Sequence, residues 1–324
     1  MMKIVVLDAY TLNPGDLSWQ GIAQFGDLTC YDRTEPEQVL SRAKDAEILF
    51  TNKTIIDKNT LTLLPKLRYI GVLATGTNVV NLHAAINQGV VVTNVPAYGP
   101  DAVAQMVFAH ILHHTQRIAL HHEAVVDGLW SDCDDFCFTL SPLQSLKDKT
   151  IGLMGYGTIG QRVANIALAF GMKVMVNTRS LLTDLPAGIE WSELEPLIST
   201  VDILSLHCPL TETTDKIINS RALKQMRTSA ILINTARGGL IDEAALKQAL
   251  ADGEIAAAGV DVLSTEPPEK TNPLLSAKNI SISPHNSWAT LEARRNLLNI
   301  ASRNLECFLS GVHEARDKFN NQVN

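Results

Sequence analysis

Apolar and polar positions along this chain follow two rhythms. Short apolar runs, "KIVVLDA" (3–9), "AEILFTN" (46–52), "YIGVLAT" (69–75) and "VVVTNV" (90–95), have the length and β-branched content of buried strands. Between them, stretches such as "EPEQVLSRAKDA" (35–46) and "NLHAAINQG" (81–89) predict helices. A second series places strands at "TIGLMG" (150–155), "KVMVN" (173–177), "DILSLH" (202–207), "AILINT" (230–235), "AAAGVDV" (256–262) and "NISIS" (279–283). Helices fit between these as well, including "DEAALKQALADG" (242–253). Such alternation predicts βαβ units, and so an α/β fold of mostly parallel sheets. Two series predict two domains, and "PAYGP" (96–100), which cannot continue a strand, marks the boundary. One long helix, 101–123, leads into the second domain, and a last helix, 289–311, returns to the first. The first domain is thus 1–98 completed by 286–324, and the second is 99–285. The segment 124–148 is long and aromatic for a plain connection, which leaves an interface or active-site role and a surface excursion both open.

Composition narrows the partners. The chain has 324 residues, enough for two domains, and is 46% hydrophobic and 19% charged, as soluble globular proteins are. A net charge of −7 argues against nucleic acid as a partner. No apolar run reaches membrane-spanning length, and the N-terminus has no signal-peptide pattern, so the expected address is cytoplasmic. Cys30, Cys133, Cys137, Cys208 and Cys307 are odd in number and spaced like no metal framework, which predicts reduced thiols. His110, His113 and His114 fall at helical i, i+3, i+4 spacing, which can hold zinc. No carboxylate or cysteine joins them locally, so no metal is predicted and they read as interface or core-edge histidines.

The chemistry begins at "GLMGYGTIG". Gly155, Gly157 and Gly160 stand in G-x-G-x-x-G spacing between a predicted strand and a helix that Thr158 and Ile159 open. In that context the motif predicts a dinucleotide site, with the pyrophosphate at the helix N-terminus. At the next strand end an acid is usual, to bind the adenosine ribose, but the chain reads Thr178, Arg179, Ser180. A hydroxyl can donate to a 2′-phosphate and an arginine can pair with it, so the local chemistry favours NADP, or tolerance of both NADP and NAD. Arg179 as a solvated turn residue stacking on adenine is the alternative. Three later strands end in polar residues: Arg237 in "ILINTARGGLID", Asp261 and Glu266 in "GVDVLSTEPP", and His285 in "ISPHNSWAT". Strand ends of open α/β sheets form the ligand crevice. There an arginine can hold a carboxylate, a histidine can protonate a carbonyl becoming an alcohol, and a glutamate can orient the imidazole.

The whole pattern resembles the D-isomer-specific 2-hydroxyacid dehydrogenase family. The resemblance runs through "GVLATGTNVVNLHAA", "GLMGYGTIGQRVANIALAFGMKV", "SLHCPLTETTDKIIN", "LINTARGGLIDEAAL", "AGVDVLSTEPP" and "SPHNSWATLEARRNLL". "VLATGTNVV", "DFCF" and "HNSWATLEAR" are similar to its glycerate dehydrogenase, or hydroxypyruvate reductase, branch. The resemblance implies two Rossmann-like or flavodoxin-like parallel-sheet domains with a cleft between them, and reduction of a small 2-keto acid such as hydroxypyruvate or glyoxylate to the D-2-hydroxy acid. A different 2-keto acid, or a nicotinamide-sensing corepressor of the same fold, are the alternatives. It implies that Arg237 binds substrate, that His285 is the acid/base and that Glu266 is its partner. It places Ala74, Thr75 and Gly76 at the substrate carboxylate, with Asn78 beside them. His207, Cys208, Pro209, Thr214, Thr235, Ala236 and Asp261 join the cofactor set. It also implies a homodimer through the nucleotide domain, with Trp130, Phe136 and Phe138 reaching toward the partner. Asn81 stands where the family more often has Asp.

Overall fold

The computed structural model describes residues 1–311 and 321–324. The chain divides into two compact units, 1–99 with 289–324, and 100–288.

In the first unit, five parallel strands form one sheet: β1 (Lys3–Val6), β2 (Asp27–Cys30), β3 (Ile48–Thr51), β4 (Tyr69–Val72) and β5 (Val91–Thr93), in the order β2-β1-β3-β4-β5. β3 and β4 are buried at every position, which is why they read as continuous apolar runs. β2, "DLTC", is an edge strand with mostly exposed positions, so hydrophobic patterning misses it. Asn81 caps the Leu82–Asn87 helix, its side chain accepting from Ala84 N at 2.9 Å. Asn and Asp serve equally at that position, which accounts for the departure at residue 81. The Leu291–Leu309 helix belongs to this unit. Its buried Arg294 grips Asp16 through two bonds of 2.7 and 2.6 Å and donates to Leu12 O. The open edge of β5 is covered by the chain's last described residues. Val323 N donates to Val92 O, and the Asn324 side chain accepts from Val92 N and donates to Val90 O.

The second unit holds a seven-stranded parallel sheet of β6 (Thr150–Met154), β7 (Lys173–Asn177), β8 (Ile189–Trp191), β9 (Ile203–Leu206), β10 (Ile231–Asn234), β11 (Ala257–Val260) and β12 (Ile280–Ile282). Its order is β12-β11-β10-β9-β6-β7-β8, so the strand order reverses between β6 and β9. That reversal is the topological switch point at which open α/β sheets bind dinucleotides. Alternate residues feed two cores: Ile231 and Ile233 pack with Val107, Ile111 and Val163, while Leu232 packs with Leu204, Leu246 and Val260. β8 has only three residues and was not legible as a strand. The single helix predicted over 101–123 is two, Pro100–Gln116 and Ile118–Val126. The Thr115 carbonyl accepts from Gln144 N rather than from the next helical turn, and Arg117 takes the left-handed conformation at φ 51. Among the described residues no helix is long and apolar enough to cross a membrane.

Candidate active site

The glycine turn is built around close backbone approaches. Gly155 sits at φ 108, and a Cβ there would lie 2.6 Å from the carbonyl carbon and oxygen of His207. A Cβ on Gly160 would run into the Gly155 carbonyl, while around Gly157 nothing lies within 4 Å. The Thr158–Ala169 helix starts at Gly157 with no side chain capping it. Its first turn, Thr158, Ile159 and Gly160, therefore offers N–H groups and the positive end of a helix dipole. At the end of β10, the buried Thr235 hydroxyl has no partner among the described residues. An open cradle, an uncapped helix end and an orphaned buried hydroxyl fit a dinucleotide bound across these strand ends.

The neighbouring strand ends are more committed. Beyond β9, His207 bonds Ser205 Oγ through Nε2 at 2.9 Å, and burial pushes its pKa down to about 4. The ring is therefore neutral. Cys208 packs against the core and burial raises its thiol pKa. Pro209 is exposed, and its carbonyl accepts from the Thr214 hydroxyl at 2.8 Å, so Thr214 ties its own loop together. Beyond β7, the Thr178 hydroxyl donates to Ser180 O at 2.6 Å and accepts from Trp191 Nε1 at 3.2 Å. The single Thr178 proton is thus committed, and the hydroxyl shapes the turn instead of donating outward. Arg179 and Ser180 are exposed, and the Arg179 guanidinium has no hydrogen bond or ion pair among the described residues.

Three strand ends bring the reactive side chains together. After β10, buried Asn234 clamps the turn that bears Arg237: its Oδ1 accepts from Ala236 N and its Nδ2 donates to Arg237 O. Arg237 is exposed and donates to the Ala236 carbonyl at 2.7 Å, which leaves most of its guanidinium for a ligand. The next residue, Gly238, packs so closely on the Leu263–Ser264 backbone that a Cβ would overlap it. Leu263 N donates to Glu266 Oε1 at 3.0 Å, and Glu266 Oε2 lies 2.6 Å from His285 Nδ1. With Nδ1 donating to the carboxylate, Nε2 is the ring nitrogen that can exchange a proton with a ligand. His285 stands at φ 48, its N–H shared between Asp261 O and Ser283 O, and Trp288 Nε1 donates to its carbonyl. The Asp261 side chain is 1% exposed and spent internally, accepting from Ser283 Oγ, Asn286 N and Ser287 N.

Asn234, Ser283 and Trp288 join this site without having stood out in the sequence. Asn234 directly precedes Thr235, Ala236 and Arg237 in "NTARGG", and that adjacency was the available signal. Ala74, Thr75 and Gly76 lie in the first unit, beyond β4. There the Ala74 carbonyl accepts from Val95 N, the Thr75 hydroxyl donates to Val95 O, and Asn94 Nδ2 donates to Thr75 O.

Comparison with known proteins decides the family. The model of the D-isomer specific 2-hydroxyacid dehydrogenase NAD binding domain matches residues 108–287. The chain belongs to the D-isomer specific 2-hydroxyacid dehydrogenase family. It is an NAD(P)-dependent 2-hydroxyacid oxidoreductase acting on CH–OH donors. The chain is 44% identical to a hydroxypyruvate reductase of Blautia hydrogenotrophica over 96% of this chain and 98% of that one. It is 40% identical to a glycerate dehydrogenase of Methylorubrum extorquens, over 95% and 96%. An NADPH-dependent glyoxylate/hydroxypyruvate reductase from Sinorhizobium meliloti, solved with NADP and malonate, superposes with a TM-score of 0.81 at 26% identity, over 99% of this chain and 96% of that one.

Proposed function

We propose that this dehydrogenase reduces hydroxypyruvate or glyoxylate to the corresponding 2-hydroxy acid, with NADPH preferred. The observation that carries the chemistry is the His285–Glu266 pair at 2.6 Å, next to the turn that bears Arg237. Arg237 holds the substrate carboxylate and draws electron density from the neighbouring keto oxygen. His285 Nε2 gives that oxygen its proton, and Glu266 fixes the ring and steadies the charge. Bound nicotinamide supplies the hydride. Thr158, Ile159 and Gly160 hold the pyrophosphate, and Thr235 with the backbone of Ala236 receives the nicotinamide end. His207, Cys208, Pro209 and Thr214 wall the site. The loop Ala74–Gly76 is assigned to the substrate carboxylate through its N–H groups.

The cofactor preference rests on Arg179 and Ser180, which are exposed at the end of β7 where no acid stands to repel a 2′-phosphate. Thr178 supports them by holding the turn. The substrate choice is supported by the names of the relatives. Five free cysteines fit a reducing, cytoplasmic compartment. A homodimer through the second unit is supported by its exposed Ile118–Val126 helix.

One steady-state panel tests the reading: hydroxypyruvate, glyoxylate, pyruvate and a bulky 2-keto acid, each with NADH and NADPH. The two small polar acids are expected to lead in kcat/KM. Pyruvate or the bulky acid in first place overturns the substrate assignment. NADH better than NADPH by about tenfold, or about 1.4 kcal/mol, overturns the cofactor assignment.

A further inference from the structure

The Pro100–Gln116 helix reaches the His285 turn through a chain of hydrogen bonds. His110 and His114 are buried and, four residues apart, share one face of that helix. Ser281 and Ser283, two apart along and just beyond β12, share one face of the sheet. The two periods mesh. His110 Nδ1 lies 2.7 Å from Ser281 Oγ, and its Nε2 lies 3.0 Å from Ser283 Oγ. His114 Nε2 lies 2.8 Å from Ala258 O and 3.0 Å from Ser281 Oγ. Gly259, paired in register with Ser281, makes room for this: a Cβ there would lie 2.7 Å from His110 Cβ.

The protons along this chain can be placed in one way. A carboxylate only accepts, so the single Ser283 proton goes to Asp261 Oδ1, 2.6 Å away. Ser283 Oγ must then accept from His110 Nε2–H. Burial holds His110 below the ordinary imidazole range and so neutral, and its bare Nδ1 accepts from Ser281. Ser281 Oγ in turn accepts from His114 Nε2–H, which also reaches the Ala258 carbonyl. His114 Nδ1, buried without a partner among the described residues, carries no proton.

The far end of the chain holds the catalytic turn. Asp261 O accepts from His285 N at 2.8 Å, Oδ1 from Asn286 N at 3.0 Å and Oδ2 from Ser287 N at 3.1 Å. Three consecutive N–H groups therefore converge on one aspartate. They fix His285 in the left-handed conformation, which a non-glycine residue keeps only where its surroundings over-determine it.

We propose that His110 and Ser283 are positioning residues for the acid/base histidine: they orient the Asp261 carboxylate, and Asp261 holds the turn that aims His285. This rests on the reading of His285 given above. The test compares Ser283→Ala and His110→Leu with Ser283→Thr and His110→Gln, each of which keeps a polar group for the chain. With glyoxylate and NADPH, the first pair is expected to lose about ten- to a hundredfold in kcat, and the second pair to recover most of it. The Kd for NADPH, read by fluorescence titration, stays within about twofold throughout. Nitrogen NMR of labelled histidine at about pH 8 is expected to show His110 as the neutral Nε2–H tautomer. The proposal is overturned if Ser283→Ala keeps its kcat, if Ser283→Thr is as slow as Ser283→Ala, or if His110 carries its proton on Nδ1. His285→Ala separates the two readings. Normal turnover in that variant sinks the acid/base role itself, whereas its loss with unimpaired Ser283→Ala sinks only the positioning.

Discussion

Glu266 serves two masters with two oxygens. Oε1 takes the Leu263 N–H and Oε2 the His285 ring, so the carboxylate is anchored to backbone before it touches the imidazole. A glutamine has one oxygen to offer where two are used, and its amide turns a donor toward one of the partners. Glu266→Gln is therefore expected to lower kcat/KM by about a hundredfold while cofactor binding holds. Steady-state kinetics beside a cofactor titration checks this, and a loss confined to cofactor affinity contradicts it. Arg237, Glu266 and His285 were recognisable as candidates in the sequence because each is a polar residue past an apolar strand. Asn234 and Ser283 were not, since a strand-end Asn or Ser reads the same whether it faces water or holds a turn. Only burial and the hydrogen bonds made to neighbouring strands distinguish the two. Thr178 shows the converse: the residue type suggested an outward donor, and the fold turns its proton inward to Ser180.

Among the elements, the Ile118–Val126 helix is the least accounted for by its own unit. None of its residues is buried, and Ile118 and Val126 are 72% and 68% exposed. Nine residues are too few to hold a helix in water unaided. Downstream, Phe136 is 90% exposed, while Trp130 Nε1 donates to its carbonyl and Phe138 stacks on His121. A second copy of the chain laid on this face would cover apolar surface that a monomer leaves wet. The wild type is expected to sediment as a dimer, and Val126→Glu with Phe136→Ser to shift it toward monomer. A wild type that sediments as a monomer contradicts the assignment. Most elements were readable from periodicity because parallel strands buried on both faces are unbroken apolar runs. The failures have physical causes. β2 is a polar edge, β8 is three residues long, and the break at Arg117 depends on Gln144, a partner twenty-nine positions beyond the Thr115 it bonds, so no local window contains it.

Across the molecule, the second unit carries histidines that fold in the neutral form. Burial pushes both His114 and His207 down to about 4, from an ordinary value of 6.5. For His114, repulsion from His113, Arg117 and His110 whenever these are protonated acts in the same direction, and the bond to the Ala258 carbonyl opposes it. A depressed imidazole means that the unfolded chain binds more protons than the folded one between about pH 4 and 6.5, so stability falls as pH falls through that window. Urea denaturation is expected to show a lower midpoint at pH 5 than at pH 7. His114→Gln, which keeps a donor but does not titrate, should show a smaller drop, and equal midpoints at the two pH values refute the assignment. The two-unit plan has a consequence for synthesis on the ribosome. The second unit is one continuous stretch, 100–288, and has all its strands as soon as that stretch has emerged. The first unit begins earlier and finishes later. Its β5 edge waits for Val323 and Asn324, made some 230 residues after the strand they cover. The nascent chain therefore holds an unsealed sheet edge while the cofactor-binding unit completes itself downstream, and the half made first is the half finished last.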